Sequence, residues 1–174
     1  GDPPCTIATV AQTTTGADAA ICAGRPVGAQ QTTQSTAQDK DVLVEAAAAA
    51  DTSACHPIGV SSAGPCPVDS WRPLAPLCGA GWNDLDTGFV GVICGGHHVT
   101  NGRVMYVYLY LTGVGGELLP FFGRLGALQV LSLGNNPFLR GDLADLAGAT
   151  ELRFLALFNC PLVRGEVGAL APLG

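Results

Sequence analysis

The chain is poor in charge and in aromatic rings: 13% of its 174 residues are charged, 6% are aromatic, and one lysine, Lys40, stands among eight basic residues against fourteen acidic ones. A net charge of −6 with so few cations disfavours a nucleic-acid partner or an anionic membrane surface. No apolar run reaches eighteen residues, so no membrane span is expected in this segment. The opening Gly1-Asp2-Pro3-Pro4-Cys5 has neither a basic nor an apolar signal region, as a mature secreted form would read. No C-x-x-C pair occurs, which argues against a zinc site or a thioredoxin-like centre, and no N-x-S/T triplet offers N-glycosylation.

What is abundant is alanine and glycine, 24 of each, within an apolar content of 48% that suffices for one core. Seven cysteines stand at 5, 22, 55, 66, 78, 94 and 160. Six of them crowd into the stretch that ends at Cys94, the pattern of a small disulfide-stapled segment, which implies an oxidising, extracellular or cell-surface location. Six cysteines allow 15 pairings, and sequence neighbours give the simplest set: Cys5 with Cys22, Cys55 with Cys66, Cys78 with Cys94.

Residues 1–34 form a Thr/Ala-rich arm with one alternating run, Cys5 to Val10, and a composition that attracts O-linked sugar. From Ser35 the text changes. Ser35 and Gln38 read as a capping box before a helix from Asp39 to Ala50, with Asp39 and Asp41 in its first turn. Val42, Leu43, Ala46, Ala47 and Ala50 share its apolar face. Residues 51–70, with Pro57, Gly59, Gly64, Pro65 and Pro67, are loop chemistry.

Beyond residue 100 the sequence repeats. Leu128, Leu131, Leu133, Asn136, Leu139, Gly141, Leu143 and Leu146 recur 24 residues later as Leu152, Leu155, Leu157, Cys160, Val163, Gly165, Val167 and Leu170. An earlier copy aligns as Val104, Val107, Leu109, Thr112, Val114, Gly116, Leu118 and Phe121, one residue shorter in its turn. One such unit cannot bury its leucines alone, whereas stacked units make a continuous core and a parallel sheet.

The pattern L-x-x-L-x-L-x-x-N/C-x-x-L-x-G-x-L resembles the leucine-rich repeat, and its trailing L-x-G-x-L resembles the plant-type, 24-residue subtype. Upstream, the Asp39 helix, Phe89-Val-Gly-Val-Ile-Cys94 and Val104 to Leu109 occupy the places of that family's N-terminal cap and first repeat, so the resemblance covers roughly residues 36–174. It implies an α/β solenoid with a short parallel sheet behind a helical, disulfide-stapled cap: an arm at 1–34, a cap at 35–103 and about three repeats at 104–174, the last one open. It also implies that Thr112, Asn136 and Cys160 are structural turn residues, Cys160 as a buried free thiol, and that Cys78 partners Cys94. The family's Trp is Phe89 here, its second cap cysteine is Thr87, and the insertion carrying Cys55 and Cys66 is longer than usual.

Candidates for chemistry are weak. His97 and His98 follow Cys94, but adjacent histidines seldom reach one ion without further ligands. His56 beside Cys55 has no acidic orienter, and Gly113 to Gly116 lacks the Lys-Ser/Thr ending of a phosphate loop. No enzyme, no cofactor and no metal are expected.

The informative surface is the outer face of the repeat sheet. Its positions are Met105, Tyr106, Tyr108, Tyr110 and Leu111, then Gln129, Val130, Ser132, Gly134 and Asn135, then Arg153, Phe154, Ala156, Phe158 and Asn159. Tyr106, Tyr108, Tyr110, Arg153, Phe154 and Phe158 are the candidate binding residues for a protein, peptide or glycan ligand, the ligand classes that the family implies. A second expectation comes from Ala171 to Gly174, where the text stops inside a repeat. Either the polypeptide continues or further copies stack on the open end, as in a structural subunit of an extracellular filament or sheath with the N-terminal arm bridging neighbours.

Overall fold

The computed structural model describes residues 36–59, 64–75, 77, 88–95 and 102–173. Gly1–Ser35 and Thr36–Gly174 are separate units, and only the second has described residues. The expected Cys5–Cys22 pairing, the Cys5 to Val10 strand, Ser35, Cys78, His97 and His98 lie outside the described residues.

Helix α1 (Thr36–Ala49) begins at Thr36, ahead of the Asp39 start expected from the sequence. It buries Val42, Leu43 and Ala46 and leaves Asp41 and Glu45 outside, as helical spacing dictates. Its Ala-rich face permits close approach to the short helix α2 (Leu119–Phe122). Asp39 is fully buried and has a further role beyond the helix dipole. It accepts from Arg103 Nε at 2.7 Å, Arg103 Nη2 at 2.9 Å and the Val104 amide at 3.0 Å, pinning the helix start to the first strand of the repeat region. A charge pair this dry holds only because its hydrogen bonds replace lost water.

Among the described residues seven short strands follow: β1 (Val92–Cys94), β2 (Val104–Tyr108), β3 (Gly116–Glu117), β4 (Val130–Ser132), β5 (Leu139–Asp142), β6 (Phe154–Ala156) and β7 (Leu162–Arg164). They make two small open sheets, ordered β1-β2-β4-β6 and β3-β5-β7. β1 is antiparallel to β2, and the other pairings between these strands are parallel. In the first sheet Tyr106 faces Val130 and Val130 faces Phe154, so each crossing advances by one full sequence repeat. Parallel neighbours joined by so long a connection place each unit one strand further along the sheet.

The second sheet is staggered. Gly116 pairs with Leu139 rather than with its repeat counterpart Gly141, and Gly141 pairs with Val163 rather than with Gly165. The three glycines nevertheless share a positive φ, +93° at Gly116, +147° at Gly141 and +111° at Gly165, so the backbone matches the sequence alignment through the turn. Beyond it the alignment needs a correction. The short helix Leu119–Phe122 and the 3-10 turn Leu143–Leu146 occupy equivalent places, so Leu119 and Phe122, not Leu118 and Phe121, are the counterparts of Leu143 and Leu146. Phe122 is accordingly fully buried where Phe121 is half-buried. The residue missing from the first turn is regained between Gly116 and the helix.

The core between the sheets holds Val107, Leu109, Leu118, Leu128, Leu131, Leu133, Leu139 and Leu146, each at 0% exposure. Each leucine so buried contributes roughly 1.5–3 kcal/mol. In the third unit the equivalent Leu155, Leu157, Val163 and Leu170 are only half-buried, and Val167 is exposed.

The insertion at 51–59 does more than connect. Asp51 exchanges both backbone hydrogen bonds with Gly115, the His56 amide donates to Thr112 O at 2.7 Å, and the Gly59 amide donates to Tyr110 O. It thereby takes the place against the first turn that the first turn itself takes against the second, where Leu111 N donates to Gly134 O and Gly116 N to Phe138 O. Gly113 (φ +71°) is needed for this approach, since a Cβ there would lie 2.3 Å from Ala54 O. The Cys55–Cys66 disulfide ties the insertion to the 3-10 turn Pro67–Ser70. Cys94 is also disulfide-bonded.

Candidate functional site

The turn that ends each strand is built by one buried polar side chain per unit. Asn136, fully buried, accepts through Oδ1 from the Thr112 amide at 3.2 Å and the Gly113 amide at 2.8 Å. Its Nδ2 donates to Leu109 O and Leu133 O, both at 2.7 Å. Thr112 sits one unit earlier with its hydroxyl 3.0 Å from Leu109 O. Cys160, free and buried, sits one unit later and directs its thiol to Leu133 O at 3.2 Å, the counterpart of the Asn136 contact with Leu109 O. Burial pushes the Cys160 thiol above its ordinary pKa, and a hydrogen bond from the Asn136 backbone N–H opposes the shift.

Before each of these residues the backbone turns left-handed: φ is +50° at Leu111, +59° at Asn135 and +56° at Asn159. That conformation re-aims the chain from one sheet toward the other. It suits asparagine and disfavours leucine. Asn159 Nδ2 donates to Asn135 Oδ1 at 2.6 Å, so the two asparagines pair along the rim.

On the outer face of the first sheet the alternation of the strands aims Tyr106 and Tyr108 the same way. Their rings stack with planes 4° apart and centroids 6.2 Å apart. Tyr110 meets Phe158 at 5.8 Å with planes tilted by 49°, so the first and third units touch across the second. Gly134 makes this contact possible: a Cβ at that position would stand 2.6 Å from the Phe158 ring. Tyr110 is 37% exposed, and Phe154 and Phe158 are each 54% exposed. Arg153 is exposed beside Phe154 and has no ion-pair partner among the described residues.

Three positions expected to be open on this face are buried. Met105 is 8% exposed and Ala156 9%, and Gly134 lies beneath Phe158. Outward direction on a narrow sheet does not guarantee access when neighbours carry rings. What remains accessible is a run of aromatic side chains with Ser132, Asn135 and Asn159 between them and no carboxylate among its positions. Acidic groups occupy other surfaces. Glu45, held to Arg124, and Asp51, held to Ser53, have carboxyls below the usual range through those hydrogen bonds.

His56 points its Nδ1 at Pro57 O and has no acidic partner among the described residues. Among the described residues no group of three or more His, Cys, Asp and Glu side chains lies close enough to hold a metal. A shallow depression outside β3 is lined by Asp51, Glu117, Pro120, Phe121 and Arg140. No described helix is long and apolar enough to cross a membrane.

Sequence reasoning missed Trp71, 2% exposed, which stacks on Phe89 at 6.4 Å and donates Nε1 to Val90 O at 2.9 Å. A lone Trp in a Pro-rich stretch carries no period, and its apolar bulk is the only available signal. No protein-family model matches the chain, and no curated protein matches it.

Proposed function

We propose that the chain is a non-catalytic, extracellular leucine-rich-repeat module that recognises a protein, peptide or glycan through the outer face of its first sheet. The observation that carries this reading is the accessible aromatic set Tyr110, Phe154 and Phe158, with Tyr106 and Tyr108 stacked beside it and Arg153 at its edge. A patch of rings with neutral polar side chains between them is the composition of binding surfaces: rigid aromatics bury large area at small entropic cost, and Ser and Asn adapt their hydrogen bonds. The repeat assignment is supported by the repeat-length step of the parallel ladder and by the Thr112, Asn136 and Cys160 turn residues. The Cys55–Cys66 disulfide supports an oxidising location.

The test is a binding screen of the whole chain against a displayed library of random dodecapeptides and a panel of neutral oligosaccharides. Ligands should appear for the native chain and fail on Tyr110→Ala and Phe158→Ala; ligands that bind both variants undiminished would place recognition elsewhere.

One observation favours a second reading, assembly of further copies into an extracellular filament or sheath. Leu155, Leu157 and Val163 are half-buried where Leu131, Leu133 and Leu139 are sealed, so the β6–β7 side offers apolar surface and strand edges to another unit, either a continuation of this polypeptide or a further copy. Light scattering followed by electron microscopy of one sample separates the readings: polymers support assembly, and discrete monomers remove it.

A further inference from the structure

We infer that the insertion at 51–59 is a redox-latched clamp on the first turn: the Cys55–Cys66 disulfide holds it against the backbone that carries Tyr110, and reduction by a dithiol releases it. The effect on binding rests on the recognition reading above, whereas the clamp itself does not. The insertion has little of its own to keep it in place. Asp51 to Ala54, Ile58 and Gly59 are exposed, and Cys55, His56 and Pro57 are only half-buried. Among the described residues its hydrogen bonds to the repeats all run through backbone: Asp51 and Gly115 exchange theirs at 2.9 Å, His56 N donates to Thr112 O at 2.7 Å, and Gly59 N donates to Tyr110 O at 3.3 Å. Cys66, by contrast, is buried at the start of the Pro67–Ser70 turn, in the same core cluster as Val68 and Trp71. The disulfide therefore joins a loosely held segment to a firmly held one. Tethering across a separation of 11 residues favours the docked state by about a hundredfold.

What the insertion clamps is a strained turn. The His56 and Gly59 amides engage the carbonyls on either side of Leu111, whose φ of +50° is unfavourable for a leucine and persists only where its surroundings fix it. With the insertion gone, the Leu111 amide keeps its bond to Gly134 O and the Thr112 amide keeps its bond to Asn136. Losing both carbonyl clamps lets the turn relax, and Tyr110, the residue before it, leaves its 5.8 Å contact with Phe158. The chemistry is thiol–disulfide exchange. A thiolate of the dithiol attacks Sγ of Cys55, the less buried partner, and Sγ of Cys66 departs and takes up a proton. The second thiol of the reductant then attacks the mixed disulfide and frees Cys55. One protein disulfide becomes two thiols while the dithiol is oxidised to its own disulfide.

The experiment compares amide exchange and ring contacts in the native chain, the native chain in dithiothreitol, and Cys55→Ser/Cys66→Ser. The amides of His56, Gly59 and Gly115 should exchange about a hundredfold faster in the second and third samples, with the Leu133 amide unchanged. The nuclear Overhauser contact between the Tyr110 and Phe158 rings should disappear in step. Gly113→Ala, whose Cβ would collide with Ala54 O, displaces the insertion with the disulfide intact and should reproduce both changes. Insertion amides that stay protected in the serine variant would overturn the latch, and a ring contact that survives release would overturn the clamp on Tyr110. Peptides selected from the dodecapeptide library on the native chain, and lost on Tyr110→Ala, should bind the serine variant about tenfold more weakly. An unchanged Kd there would overturn the inference and leave recognition standing. Failure to select any peptide would defeat the recognition reading, and the exchange and ring results would still decide the clamp.

Discussion

Replacing Asn136 with alanine removes the side chain that serves two turns at once, and the structure allows the cost to be worked group by group. Four buried backbone groups lose a partner: the carbonyls of Leu109 and Leu133, and the amides of Thr112 and Gly113. The two carbonyls are protected, since the Thr112 hydroxyl reaches Leu109 O at 3.0 Å and the Cys160 thiol reaches Leu133 O at 3.2 Å. The two amides have no substitute. Each stranded buried donor costs about 1–3 kcal/mol, so Asn136→Ala should lose about 3–5 kcal/mol once the small cavity is added. Asn136→Cys copies the arrangement at Cys160, keeps one donor to Leu109 O and a weak acceptor for the amides, and should lose about half as much. Urea unfolding followed by circular dichroism measures both, and an unchanged slope would confirm that the reference state is the same. A loss below about 1 kcal/mol for the alanine variant, or equal losses for the two, would refute the account of the turn as a hydrogen-bonded ladder.

Four further outcomes are expected. Asp39→Asn leaves the Arg103 guanidinium buried without its carboxylate and should cost about 3–5 kcal/mol of stability in the same urea assay; a neutral effect would mean that water reaches the pair. Cys160 should resist a thiol-specific disulfide reagent in the native chain at mildly alkaline pH and react once urea unfolds it, because the thiol is buried and its pKa is raised. With the folded pKa above the unfolded one, its contribution to stability is complete below the ordinary thiol value of 9.0 and is lost as pH rises through the folded value, which Cys160→Ser should abolish in a pH series of urea midpoints. Gly134→Ala should leave the turn ladder intact but push the Phe158 ring off Tyr110, lowering peptide binding several-fold with a stability change under about 1 kcal/mol; unchanged binding would separate that ring pair from recognition.

What the sequence made legible is what recurs. The regular spacing of leucines and the single polar turn residue per unit are visible because every unit must solve the same two problems, burying one strand and satisfying one sharp turn. Helix α1 was legible from its spacing and from Asp39 in its first turn, although its start at Thr36 leaves Asp41 beyond that turn, and the contact of Asp39 with Arg103, far along the chain, was not legible. Long-range partners leave no local pattern. The same holds for Trp71 and for the insertion at 51–59, whose Pro and Gly content reads as loop while its amides and carbonyls close the first turn. On the outer face the period identified direction but could not foresee that Phe158 would cover Gly134 or that Ala156 would be buried. The stagger of the second sheet was hidden too, because aligned positions show which residues are equivalent and not which ones face each other across a ladder.

The contact between the insertion and the first turn also sets an order of assembly. Neighbouring strands of the first sheet close loops of one repeat, whereas Asp51 must find Gly115 across a span more than twice as long. Closing the longer loop costs more chain entropy and becomes favourable only after the turn at Thr112 and Gly113 exists to receive it. The difference in loop length is worth only about 1 kcal/mol, so the expected order is pairing of the repeating strands first and docking of the insertion after it, with unfolding in the reverse sense. Amides of Asp51, His56 and Gly115 are accordingly the ones to exchange with solvent ahead of those in β4, a hierarchy written by loop length rather than by burial.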